Sequence, residues 1–100
     1  MGWKGFSKTL TSASAEPIVA TSQKASNIKI QMKRDNGHPV YVGASDVSET
    51  NGIELINVGG TNLPLDKVDL VAGYGSGMDL LQIYVLGTIG EGVQGMYEEF

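Results

Sequence analysis

The stretch Asn27-Ile28-Lys29-Ile30-Gln31-Met32-Lys33 places Ile28, Ile30 and Met32 at every second position, with polar residues between them. Side chains of a strand point alternately to opposite faces, so this pattern predicts a half-buried strand. A helix would repeat its apolar residues at spacings of three and four. The residues that follow, Arg34-Asp35-Asn36-Gly37, contain Asn-Gly, which tolerates the positive φ of a two-residue hairpin turn. Pro39-Val40-Tyr41-Val42 then reads as the returning strand, with Pro39 at its start or on an edge because proline has no ladder donor. The expectation is a tight hairpin with Gly37 at positive φ.

Outward from this hairpin the same grammar continues. Fourteen glycines and three prolines interrupt the chain at short intervals, and no stretch keeps helical apolar spacing for more than a turn. Phe6-Ser7-Lys8-Thr9-Leu10-Thr11 reads as a strand, and residues 12–16 as an exposed connection. Residues 43–52 form a polar loop closed by a second Asn-Gly, Asn51-Gly52, before a short strand at Ile53-Glu54-Leu55. Gly59-Gly60 breaks the chain ahead of an extended Leu63-Pro64-Leu65. Lys67-Val68-Asp69-Leu70-Val71-Ala72 fits a strand or one helical turn, and residues 73–77 a glycine-rich turn. Leu80-Leu81-Gln82-Ile83-Tyr84-Val85-Leu86 is apolar at nearly every position, which predicts a strand covered on both faces, the second by a neighbouring subunit or by the chain's own loops. Gly92-Val93-Gln94-Gly95-Met96-Tyr97-Glu98 closes the series. Short strands with turn signals every eight to twelve residues predict an all-β fold, a single β-sandwich or jelly-roll-like barrel of six to eight strands. Residues 27–100 would form the sandwich, with residues 1–26 as an N-terminal arm or first-strand region.

The 100 residues, 41% apolar and 18% charged, suit one globular domain with a modest core. The absence of cysteine excludes disulfides and thiolate chemistry, and a single histidine makes a zinc site implausible. No apolar run is long enough to span a bilayer, and residues 1–15 do not read as a signal peptide. Charge is unevenly spread: residues 1–34 hold five lysines and Arg34 against Glu16, whereas residues 35–100 hold ten acids against Lys67. That division fits a basic front meeting an acidic flank of another copy, or two ordinary solvated faces. Nucleic-acid binding fits poorly, because the basic residues do not cluster and no aromatics interleave with them.

Catalytic motifs fail on their context. Gly90-Glu91-Gly92-Val93-Gln94-Gly95 matches a dinucleotide fingerprint, but only five residues follow and no helix can form there, so it reads as a glycine-rich turn. His38 could act as a base but lies in a predicted turn before proline. The pairs Asp46/Glu49 and Asp66/Asp69 lack the alternating oxygen ligands of a calcium loop, and no nucleophile elbow accompanies Ser45. The reading is a non-enzyme that needs no cofactor and no metal.

The block Val40-Tyr41-Val42-Gly43-Ala44-Ser45-Asp46-Val47-Ser48-Glu49-Thr50-Asn51-Gly52 resembles small β-rich virion structural proteins of tailed bacteriophages, of the capsid decoration (cement) type. The ending is similar too, in Leu80 to Gly87, Gly90-Glu91-Gly92-Val93 and Met96-Tyr97-Glu98. The resemblance implies a virion protein on the capsid surface whose partners are the major capsid protein and itself. It implies a homo-oligomer, trimer favoured; the charge pattern and hydropathy above point to no nucleic-acid and no membrane partner. A head-fibre, neck or tail accessory protein that binds a host surface is the alternative, and an unrelated soluble binding module is another. The candidate capsid or subunit contacts are Trp3, Phe6, Ser45, Asp46, Leu80, Ile83 and Tyr84. Trp3 is placed among them as an apolar anchor of a basic terminus, because tryptophan often dominates interface energetics.

Overall fold

The computed structural model describes residues 2–34, 36–56, 67–71 and 77–100. Over these residues the chain is all-β: β1 (Trp3–Thr9), β2 (Glu16–Pro17), β3 (Lys24–Met32), β4 (Val40–Gly43), β5 (Ile53–Leu55), β6 (Lys67–Val71), β7 (Met78–Asp79), β8 (Tyr84–Leu86) and β9 (Gly92–Glu99). Two antiparallel sheets result. One has the order β1-β9-β3-β6, with β7 also pairing β3, and the other runs β2-β8-β4-β5. Their inner faces enclose Leu10, Ile18, Ile28, Ile30, Met32, Val40, Val42, Leu55, Leu80, Val85 and Val93.

The alternation seen in sequence sets the face of β3. Ile28, Ile30 and Met32 are fully buried and Lys29 is exposed. Ala25 is buried as well, although its position is out of phase with Ile28. The register explains this, since Ala25 faces Glu99 and Asn27 faces Glu98, leaving Ser26 as an extra residue. That bulge flips the parity and keeps both segments on the core. In β9, Val93 and Tyr97 point inward while Gln94 and Met96 point to solvent. Gly95, between the two inward residues, sits where a Cβ would run into the Lys29 carbonyl oxygen; the Phe6 ring on the paired strand covers it.

The predicted 27–42 hairpin does not form. β3 and β4 lie in different sheets, and the φ of Gly37 lies outside the left-handed region. Asn36 is the cause. Its side chain is 4% exposed and pairs with Gly92 as another strand would: Nδ2 donates to the Gly92 carbonyl at 2.7 Å and Oδ1 accepts from the Gly92 N–H at 3.1 Å. The neighbouring Glu91 carboxylate accepts the Gly37 and His38 N–H groups, both at 3.1 Å, and contacts His38 Nδ1 at 3.0 Å. Residues 36–38 are thus held open as a crossing between sheets. Partial burial of Glu91 opposes its ionisation, but the bonds from His38 and Gly37 outweigh it and hold the carboxyl below its ordinary range.

The apolar run 80–86 is not one strand. Asp79 accepts the Leu81 N–H at 3.0 Å and caps a short 3-10 turn, Leu80–Gln82, ahead of β8. Leu80, Ile83 and Val85 enter the core, while Tyr84 and Leu86 are only half-buried on the outer face, so the expected second covering is incomplete in the single chain. The segment 67–71 is a strand rather than a helical turn. The predicted features at 59–60 and 63–65, and most of the glycine turn at 73–77, lie outside the described residues.

Within residues 1–26, Trp3–Thr9 forms the strand β1. β1 pairs with β9 along its full length, from Trp3 opposite Glu98 to Thr9 opposite Gly92. The link to β2 is fastened by Glu16. Its carboxylate accepts the Thr11 hydroxyl and N–H (both 2.8 Å), the Ser12 N–H (3.1 Å) and Lys8 Nζ (3.1 Å). Led by the Thr11 bonds, these hold its pKa at about 2. Lys8 lies on β1 and Glu16 on β2, so the pair also ties one sheet to the other.

Candidate functional site

Strand alternation aligns the outer face of the five-stranded sheet into rows that cross the strands. Ser7, Gln94, Gln31 and Lys67 are successive register partners, and Gly5, Met96, Lys29 and Asp69 form the next row. Trp3, Glu98 and Asn27 begin a third. Between the first two rows runs a shallow depression lined by Gly5, Ser7, Gln31, Lys67, Gln94 and Met96 among others. A second depression lies beside Trp3, bounded by Asn27, Lys29 and Asp69.

Trp3 is 44% exposed and Met96 43%, although both belong to residue types usually hidden. Gly5 lacks a side chain opposite Met96, which leaves the thioether open on that side. Some polar groups of the face are already engaged: Lys29 Nζ lies 3.4 Å from the Asp69 carboxylate, and Glu98 accepts from Asn27 Nδ2 at 2.7 Å and Ser26 Oγ at 3.1 Å. The row Ser7, Gln94, Gln31 and Lys67 differs, because none of its side chains has a hydrogen-bond or ion-pair partner among the described residues. The face therefore presents two apolar anchors beside a line of unengaged donors and acceptors. Its backbone is already ordered by the ladder, so docking there costs little conformational entropy.

Among the described residues the ladder also leaves β1 with an open edge. Glu99 N–H donates to Gly2 O at 2.9 Å and Leu10 N–H to Glu91 O at 2.8 Å. Antiparallel pairing alternates, so even-numbered residues of β1 face β9, while the backbone groups of Trp3, Gly5, Ser7 and Thr9 point away from it.

The residues singled out from sequence do not converge. Trp3 is on the exposed face just described, and Phe6 is half-buried against the core over Gly95. Leu80 and Ile83 are core residues, at 0% and 9% exposure, and so present no contact surface. Tyr84 is on the outer face of the other sheet. Ser45 and Asp46 are exposed in the 43–52 loop.

That loop is built around Val47. A Cβ on Gly43 would lie 3.0 Å from the Val47 side chain, and one on Gly52 only 2.6 Å from it, so the two glycines leave the space that Val47 fills. At the tip, Ser48 and Asn51 exchange backbone hydrogen bonds of 3.0 and 3.2 Å. The block that carries the resemblance is thus β4 followed by a self-packed loop, and its glycines are steric requirements.

The charge division also has a local expression. Lys4 lies 3.7 Å from Glu99, and Lys29 and Lys8 pair as described, so part of the basic front meets acids of the same chain. Among the described residues no three His, Asp or Glu side chains converge as metal ligands, and Asp66 lies outside them.

Ser7, Met96, Gln94, Gln31 and Lys67 are members of the face that sequence reading missed. For Gln94 and Gln31 the signal is present, as polar positions between Val93 and Tyr97 and between Ile28 and Met32. It becomes a surface only once β9 is known to lie between β1 and β3. Compared with known protein families, curated proteins and solved structures, the chain matches none.

Proposed function

We propose that this chain is a non-enzymatic structural protein of a tailed-phage virion, a capsid decoration protein that binds the major capsid protein and stabilises the shell. The observation that carries the reading is the outer face of the five-stranded sheet, with Trp3 and Met96 exposed beside four polar side chains that have no partner among the described residues. The resemblance of residues 40–52 and of the chain's ending supplies the viral context. A protein that binds only the assembled shell stabilises it by mass action, without any chemistry of its own.

Size favours several copies acting together. Four strands at about 4.8 Å spacing, each about seven residues at 3.4 Å, offer a face of roughly 20 by 24 Å. That is less than the roughly 800 Å² that each partner contributes to a standard interface. A homo-oligomer, a trimer in this reading, multiplies the contact by presenting several faces to the lattice at once.

A second reading has one observation in its favour. Trp3 stands beside Asn27 and Asp69, an aromatic surface next to an amide and a carboxylate, which suits a host-surface glycan on a fibre, neck or tail accessory protein. Quantitative mass analysis of purified particles separates the two. Decoration predicts a copy number comparable to that of the shell subunit, and an accessory part predicts a small fraction of it. Absence from particles rejects both.

A further inference from the structure

The chain carries two Asn-Gly pairs, and the fold treats them in opposite ways. Asn-Gly is prone to spontaneous deamidation because glycine puts no side chain in the path of its own nitrogen. The Gly nitrogen, having lost its proton, attacks the asparagine Cγ, and ammonia leaves. The resulting five-membered imide is opened by water at one carbonyl or the other, giving aspartate or isoaspartate. No oxidant or enzyme is required, and water is the co-reactant.

Asn36-Gly37 is shielded from this chemistry. The Asn36 amide is 4% exposed, and both its ends are engaged with Gly92, at 2.7 and 3.1 Å. Swinging Cγ toward the Gly37 nitrogen would break both bonds, and that nitrogen is itself donating to Glu91 at 3.1 Å. Asn51-Gly52 lies at the solvent-exposed tip of the 43–52 loop. Among the described residues, the one side-chain bond of Asn51 is a long one, Nδ2 to the Asp46 carbonyl at 3.4 Å.

We propose that Asn51 is a self-modification site, converting in the folded protein to aspartate and isoaspartate by attack of the Gly52 nitrogen, while Asn36 is preserved. The product puts a carboxylate next to Glu49 and near Asp46, so a loop that already carries two acids gains another charge. Isoaspartate also adds a methylene to the backbone of a turn closed by the paired Ser48–Asn51 bonds. The change therefore reshapes an exposed loop as the protein ages.

The test uses the full chain, held folded at mildly alkaline pH, with a parallel sample in denaturant. Digestion after glutamate separates the two sites, since Glu49 lies between them, and mass mapping with isomer separation reads each. In denaturant both asparagines should convert at similar rates. In the folded chain Asn51 should convert at least ~10 times faster than Asn36, because Asn36 must wait for local opening. An Asn51→Gln chain should lack the acidic species at this site. Equal rates for the two sites in the folded protein, or an Asn51 that converts only in denaturant, would overturn the proposal.

Discussion

Single residues decide where this chain departs from its local signals. Asn36-Gly37 has the composition of a hairpin turn, yet the Asn36 side chain finds two backbone groups on Gly92, and that non-local pairing overrides the turn. Asp79 does something similar at smaller range, drawing the apolar run into a 3-10 turn by accepting the Leu81 N–H. The Gly92 partner of Asn36 lies 56 positions away and leaves no local trace in the sequence. Packing at this scale is directly testable. Ile83 is 9% exposed in the core and Met96 is 43% exposed outside it. Ile83→Ala should lower the unfolding free energy by about 2–5 kcal/mol, and Met96→Ala should change it by no more than about 0.5 kcal/mol. Denaturant titration of the two variants measures this, and a near-neutral Ile83→Ala would remove Ile83 from the core.

At the scale of elements, alternation was the reliable guide. It found the segments of β3 and β9, and the inward Ile28, Ile30 and Met32 of β3, because half-burial leaves a period of two that needs no partner to be seen. Edge pieces such as β2 and β7, of two residues each, are too short to carry a period. What joins β1 to β2 is electrostatic, and it has a pH signature. The Glu16 carboxyl titrates at about 2 in the folded chain, below its ordinary 4.5, so its stabilisation is present above pH 4.5 and disappears as pH falls toward 2. Asp79 and Glu91 are shifted in the same direction. The unfolding free energy should therefore fall as pH drops through this window, and it should fall less steeply for Glu16→Gln, which has no carboxylate to protonate. Parallel pH profiles for the two proteins would show that Glu16 does not hold the connection.

For the whole molecule, the all-β class and the sandwich were legible, but the division of strands between sheets was not. β3 takes its neighbours from β9, β6 and β7, all far along the chain, and such pairing leaves no local trace. The same gap hid the candidate site: Ser7, Gln31, Lys67 and Gln94 are scattered in sequence and become a row only through register. Attachment through that row and its apolar anchors is the claim on which the proposed function stands. Its most direct test is the affinity of the purified chain for shells stripped of it, compared with a Trp3→Lys, Met96→Glu chain. Both substitutions are on the outer face, so the variant should unfold at the wild-type denaturant midpoint. If Trp3 and Met96 are the anchors, its affinity should drop by at least ~30-fold, the loss expected when interface hot spots are removed. A folded variant that binds as tightly as wild type, or a wild-type chain that does not bind shells, would contradict it.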